Sequence, residues 1–162
     1  MDVTISASVP ADIAEVRTLF LEYAEWLGED LCFQGFEGEL AGLPGDYAGT
    51  RGALFIARST DGKREAAGCV ALRPLDATTG EIKRLYVRPA YRGTGLGSKL
   101  AGRVLDAARA AGYQRLVLDT LDRMEAAVRL YSKLGFRTIP AYYDNPMRGA
   151  LYFALELGPR MR

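Results

Sequence analysis

Leu85-Tyr86-Val87-Arg88-Pro89-Ala90-Tyr91-Arg92-Gly93-Thr94-Gly95-Leu96-Gly97-Ser98 is the stretch on which the fold turns. It closes a strand-like run, Ile82 to Val87, and opens a helix-like run, Leu96 to Ala111. A strand, a glycine-rich turn and a helix N-terminus in that order make a seat for an anion. The first N–H groups of the helix lack an intrahelical acceptor, and its dipole is positive at that end. Glycines at 93, 95 and 97 permit positive φ and close approach of a phosphate. Arg92 adds a permanent cation with a forked donor. The spacing is G-x-G-x-G, whereas a dinucleotide fingerprint wants G-x-G-x-x-G. After Gly97 the order is Ser98-Lys99, the reverse of a P-loop, so both nucleotide readings are weakened. Taken alone, the glycines serve equally well to let a helix pack on a strand.

Working outward, the rest of the chain supplies the elements of a mixed sheet with helices. Val3 to Ser8 alternates as a short strand. Pro10 and Asp12 suit the start of a helix on which Ile13, Val16, Phe20, Tyr23 and Leu27 recur at helical spacing, with Gly28 as its stop. Phe33 to Gly45 reads as a loop with a short helix, Glu37 to Ala41, forming either a pocket rim or a solvated connection. Ala53 to Arg58 and Glu65 to Leu72 are strand-like and separated by Asp61-Gly62, a hairpin signal. Glu81 to Val87 alternates less and so reads as a central, buried strand. Leu96, Leu100, Val104, Ala107, Ala108 and Ala111 form one apolar helix face, stopped by Gly112, and Gln114 to Asp119 is the next strand, parallel to Glu81–Val87. Asp122-x-x-Glu125 has the spacing of a capping box for a helix carrying Ala126, Ala127, Leu130 and Leu134, ended by Gly135. Phe136 to Ile139 and Ala150 to Leu157 pair as a last hairpin across a long connection containing Tyr142 and Tyr143.

Composition narrows the class. At 162 residues one domain is expected, 1–162 with its core at 3–157, and 49% apolar with 25% charged residues is an ordinary globular balance. Net charge is +1, which gives no reason to expect a nucleic-acid partner. Two cysteines make no disulfide framework, no basic-then-apolar leader precedes the first strand, and no apolar run reaches membrane length. A cytoplasmic setting without membrane association is the default expectation, and a homodimer is left open. The chain has no histidine, so any general base is a carboxylate, lysine, tyrosine, cysteine or water. Residues 21–50 hold seven acids (Glu22, Glu25, Glu29, Asp30, Glu37, Glu39, Asp46) and no Lys or Arg.

The string Leu85 to Gly97 resembles the acyl-CoA-binding motif of the GCN5-related N-acetyltransferases, an apolar strand, a Pro-containing link and then R/Q-x-x-G-x-G/A. A second segment, Leu130-Tyr131-Ser132-Lys133-Leu134-Gly135-Phe136, resembles that family's L-Y-x-x-x-G-F, and the element order fits its fold over residues 3–157. The resemblance implies an α/β (α+β) acetyltransferase fold with a mixed central sheet, flanking helices and a diverging central strand pair. It implies acetyl-CoA as co-substrate, no metal, and acetyl transfer to a primary amine of a small molecule by direct attack in a ternary complex. A protein amine as acceptor, or a non-catalytic acyl-CoA-binding domain, are the alternatives. The implied sites follow position by position. Backbone of Leu85, Tyr86 and Val87 binds the pantetheine arm; Arg92, Gly93, Thr94, Gly95, Leu96, Gly97 and Ser98 bind the pyrophosphate; Ala127 is the small residue four before the tyrosine. Tyr131 protonates the departing thiolate, or is a core aromatic of its helix; Glu81 opens the central strand where the family often places a base, or is an exposed strand-end charge; Asp119, at the end of the next strand, is a weaker base candidate than a structural hydrogen-bond acceptor. Where the family often has Asn seven residues before the tyrosine, this chain has Met124, so one cofactor hydrogen bond is missing or replaced. The segment 21–50 usually walls the acceptor cleft, so its acids favour a cationic amine.

Overall fold

A computed structural model of the chain describes residues 2–158; residue 1 and residues 159–162 of the expected domain lie outside the described residues. The strands are β1 Val3–Ala7, β2 Ala53–Ser59, β3 Ala66–Pro74, β4 Thr79–Val87, β5 Arg115–Leu121, β6 Arg137–Ile139 and β7 Ala150–Glu156. The α-helices are α1 Ile13–Leu27, α2 Phe36–Ala41, α3 Leu96–Ala110 and α4 Glu125–Lys133. The strands form one sheet in the order β1-β2-β3-β4-β5-β7-β6. All pairs are antiparallel except β4 with β5, joined through α3, so the sheet is mixed, as expected.

Period-2 alternation in the central strands divides the core in two. Leu54, Ile56, Cys69 and Ala71 face α1, where Val16, Leu19 and Phe20 are wholly buried. Phe55, Ala57, Val70 and Leu72 face α3, where Leu100 and Val104 are wholly buried. Each such side chain contributes about 1.5–3 kcal/mol of burial, which fixes both helices against opposite faces. Gly28, at φ 69, ends α1, and the Asp12 carboxylate accepts the Val9 N–H at 2.9 Å just ahead of it.

The expected capping box at Asp122 is not formed. The N-cap of α4 is Met124, without a side-chain cap, and Glu125 lies in the first turn. Asp122 is held instead by the β6–β7 connection: its N–H donates to Gly149 O at 2.8 Å. Its carboxylate lies where a Cβ on Gly149 would be 2.2 Å from Oδ1. The β5–α4 corner is thereby tied to the long connection that packs beside it.

Candidate active site

The site begins with a failure of strand pairing. β4 and β5 pair only at Thr79↔Arg115, Gly80↔Leu116 and Glu81↔Val117, and beyond Glu81 the two strands part. On its other side β4 keeps its partner but through a bulge: Cys69 faces Tyr86 and Ala71 faces Lys83, which leaves Arg84 and Leu85 opposite Val70 alone. Arg84 has φ 60, a left-handed conformation costing about 1–2 kcal/mol for a non-glycine residue. Its guanidinium is fastened to Glu39 of α2 by two hydrogen bonds of 2.7 and 3.0 Å, and lies over the Phe36 and Tyr23 rings at 5.1 and 5.5 Å. Gly68 backs the kinked segment because a Cβ there would stand 2.5 Å from Tyr86 O.

The ion pair is nearly dry, Arg84 being 1% and Glu39 13% exposed at their side chains. Glu39→Ala strands the guanidinium, and a loss of about 3–5 kcal/mol is expected. Urea unfolding measures it. A change under 1 kcal/mol would mean that the bulge does not depend on this pair.

Two cavities meet in the gap. The outer one is a groove lined by Leu85 and Val87 of β4, by Arg92, Gly93, Gly95, Leu96, Gly97 and Ser98, and by Ala126, Ala127 and Leu130 of α4. Gly93 and Gly95 take φ 77 and 84, with open space where a Cβ would be. Arg92 donates from Nε to Val87 O at 2.9 Å, its guanidinium stacks over Trp26 at 5.0 Å, and the residue lines the groove. Thr94 spends its hydroxyl on Tyr91 O at 2.5 Å and so shapes the turn. Tyr86 turns its ring to the α1 face and donates to Glu22 at 3.3 Å, so only its backbone is offered to the gap. The inner cavity, the passage between the parted strands, shares Trp26, Leu85 and Ala127 with the groove, so the two adjoin along those residues.

Tyr131 stands in that passage. Its ring packs on Phe136 and Phe153 at 5.4 and 6.5 Å, and its hydroxyl has no hydrogen-bond partner among the described residues. Burial first, then the nearby Tyr23 and Asp119, push the phenol above its ordinary 10.0. Asp119 enters from β5: Oδ2 accepts from the Tyr143 hydroxyl and from Asn145 Nδ2 at 2.8 Å, while Oδ1 faces Lys83 Nζ at 3.9 Å. Lys83, 4% exposed at its side chain, donates to Gln34 Oε1 at 3.2 Å, and burial pushes its ammonium down. Met124 lines the same passage where the family often has Asn.

Glu81 is brought to the same face but not to the passage. It is 1% exposed, with one oxygen taken by Arg73 Nε at 2.7 Å and the other by the Tyr142 hydroxyl at 2.6 Å. Tyr142 and Tyr143 thus strap the β6–β7 connection onto both diverging strands. The acids of residues 21–50 do not wall the passage, since none of the seven lines it. Glu22 pairs with Arg88 at 2.7 Å, Glu29 with Arg123 at 3.4 Å and Glu39 with Arg84; Asp30 accepts the Cys32 N–H at 2.9 Å, and Glu25, Glu37 and Asp46 are exposed. Glu39 and Asp46 line a neighbouring cavity instead, with Gln34, Tyr47 and Arg73. The residues that sequence reading passed over are Lys83, Gln34, Trp26 and Asn145. For Lys83 a signal existed: a lysine within a strand read as central and buried.

Comparison with known proteins agrees with this geometry. The acetyltransferase (GNAT) family matches residues 14–136. An uncharacterised N-acetyltransferase of Schizosaccharomyces pombe is 40% identical over 158 residues, covering 96% of each chain. A GNAT-family acetyltransferase from Staphylococcus aureus superposes with TM-score 0.79 at 20% identity, covering 96% of this chain and 99% of that one. A structure from Salmonella typhimurium, solved with its cofactor acetyl-CoA, superposes with TM-score 0.71 at 23% identity, covering 96% and 94%. Fold and site define the class, an acyltransferase that draws on an acyl-CoA donor. The chain belongs to the acetyltransferase (GNAT) family and is in kind an acetyl-CoA-dependent N-acetyltransferase.

Proposed function

We propose that the protein transfers the acetyl group of acetyl-CoA to a primary amine of a small molecule, by direct attack while both are bound. The groove at the N-terminus of α3, adjoining the cavity that Tyr131 and Asp119 line, carries this reading. The donor fits the residues present. The unpaired N–H groups of the first α3 turn, the open space over Gly93 and Gly95, and Arg92 suit a pyrophosphate. Beyond Glu81, the β4 edge has no β5 partner, so backbone at Leu85, Tyr86 and Val87 is left to bind an extended pantetheine arm, with Ala127 small enough to admit it. Acetyl-CoA supplies an activated acyl carbon. A C–N bond forms, the C–S bond breaks, and one proton must leave the amine while another reaches the thiolate.

Tyr131 holds the second proton: its hydroxyl is unspent, and burial keeps it protonated. Asp119 is placed to take the first, directly or through water, because its Oδ1 carries no hydrogen bond and borders the passage. Glu81, the other carboxylate considered, is held by Arg73 and Tyr142 and acts from behind, through the strap. That strap, closing the acceptor side with Tyr142 and Tyr143, favours a small acceptor over a protein segment. The test is CoA release across an amine panel, with product mass. Amine-dependent release with intersecting double-reciprocal lines is expected. Parallel lines would contradict direct attack, and no release with any amine would leave a binding domain.

A further inference from the structure

Lys83 and Asp119 form a pair that is close but incomplete. They share the sheet face covered by α1, α2 and the strap, because positions 81 and 83 of β4 and position 119 of β5 alternate onto it. They stand 3.9 Å apart, beyond a hydrogen bond, with side chains 4% and 8% exposed. Lys83 has three N–H donors and one acceptor within reach, Gln34 at 3.2 Å. Asp119 Oδ2 is saturated by Tyr143 and Asn145, but Oδ1 accepts no hydrogen bond. A buried ammonium with unspent donors and a buried carboxylate with an unspent oxygen therefore border one cavity. The third charge there, Arg84, is paired with Glu39 through two hydrogen bonds.

We infer that the acceptor is an α-amino acid, its carboxylate held by Lys83 and its amine by Asp119. The geometry closes. Standard bond lengths put the amine nitrogen and the nearer carboxylate oxygen of an α-amino acid roughly 2.7–3.6 Å apart. Charge-assisted hydrogen bonds of about 2.7–2.9 Å on each side then complete a four-sided figure whose last edge is the 3.9 Å between Lys83 and Asp119. An amine without a carboxylate leaves Lys83 unsatisfied, and a dicationic amine sets a second charge against it. Burial lowers the Lys83 ammonium, and a carboxylate in contact reverses that shift. The inference rests on the acetyltransferase reading and names its acceptor class.

The test compares each of several α-amino acids with its own α-amide as acceptor, by CoA release under kcat/KM conditions near pH 8. The amide has the more acidic ammonium, so more of it is neutral and it is the better nucleophile if nothing holds the carboxylate. A preference of tenfold or more for the free acid is therefore expected in the wild type for at least one side chain, and it collapses toward parity or reverses in Lys83→Gln. Amides equal to or better than acids throughout the wild-type panel would overturn the inference while leaving the acetyltransferase reading intact. A Lys83→Gln variant in which both rates fall in parallel, the ratio unchanged, would overturn it too and make Lys83 a proton carrier. Calorimetric binding of acetyl-CoA shows that the variant is folded, and the wild-type comparison stands without it. Absence of CoA release with every amine and amino acid would sink both readings together.

Discussion

Tyr131→Phe lowers kcat by about one to three orders of magnitude while acetyl-CoA affinity stays within a few-fold of wild type. The substitution keeps the ring on Phe136 and Phe153 and removes only a hydroxyl that no described residue holds. Packing and stability are thus spared, and the loss falls on protonation of the thiolate. The raised phenol pKa adds a sign. A group that donates as the neutral form works while protonated, and this one stays protonated past pH 10.0, so the wild-type rate shows no fall from Tyr131 ionisation below that pH. Single-turnover rates, where chemistry limits, check both points. Unchanged turnover would leave Tyr131 as core packing.

Asp119→Asn carries the other large effect, a loss in kcat/KM of about 10²–10⁴-fold that is greatest at mildly acidic pH. There the amine arrives protonated and must surrender its proton at the site. As pH rises, solvent does more of that work and the variant approaches wild type. Asparagine can still accept from Tyr143, so the strap is kept. The measurement is a pH–rate profile of variant against wild type. Superimposable profiles would move the proton to Glu81 or to bulk water.

What the sequence disclosed and what it withheld divide along contact order. The turn at Arg92–Ser98 and the helix and strand beside it are local, and their residues announce them: Gly93 and Gly95 adopt the positive φ that only glycine offers cheaply. The hairpin at Asp61 is local too, its carboxylate accepting from Lys63 and Arg64 N–H. The bulge was invisible because the residue at φ 60 is an arginine, and what holds it is Glu39, 45 positions away. The acidic run misled for the same reason. Arg84, Arg88 and Arg123 lie beyond residue 50, so Glu39, Glu22 and Glu29 are spent on ion pairs that no local reading shows, while Glu25, Glu37 and Asp46 face solvent. Asp122 had the spacing of a cap, but a carboxylate caps only if the chain turns toward it, and here Gly149 takes it. Glu81 and Asp119 were both legible as carboxylates on the right strands. Which one borders the passage depends on Arg73 and Tyr142 closing over Glu81, and no spacing rule encodes that.

Acetyl-CoA is expected to lie in the groove between Arg92–Ser98 and the parted edge of β4. Calorimetric titration of acetyl-CoA into the wild type and into Gly95→Val tests it most directly. Gly95 sits at φ 84 with open space above it, so valine strains the turn and puts a branched side chain where phosphate must come close, while touching no core residue. Saturable one-to-one binding by the wild type, weakened at least tenfold in a variant that remains folded by circular dichroism, is the predicted result. Equal binding by both proteins would place the donor elsewhere.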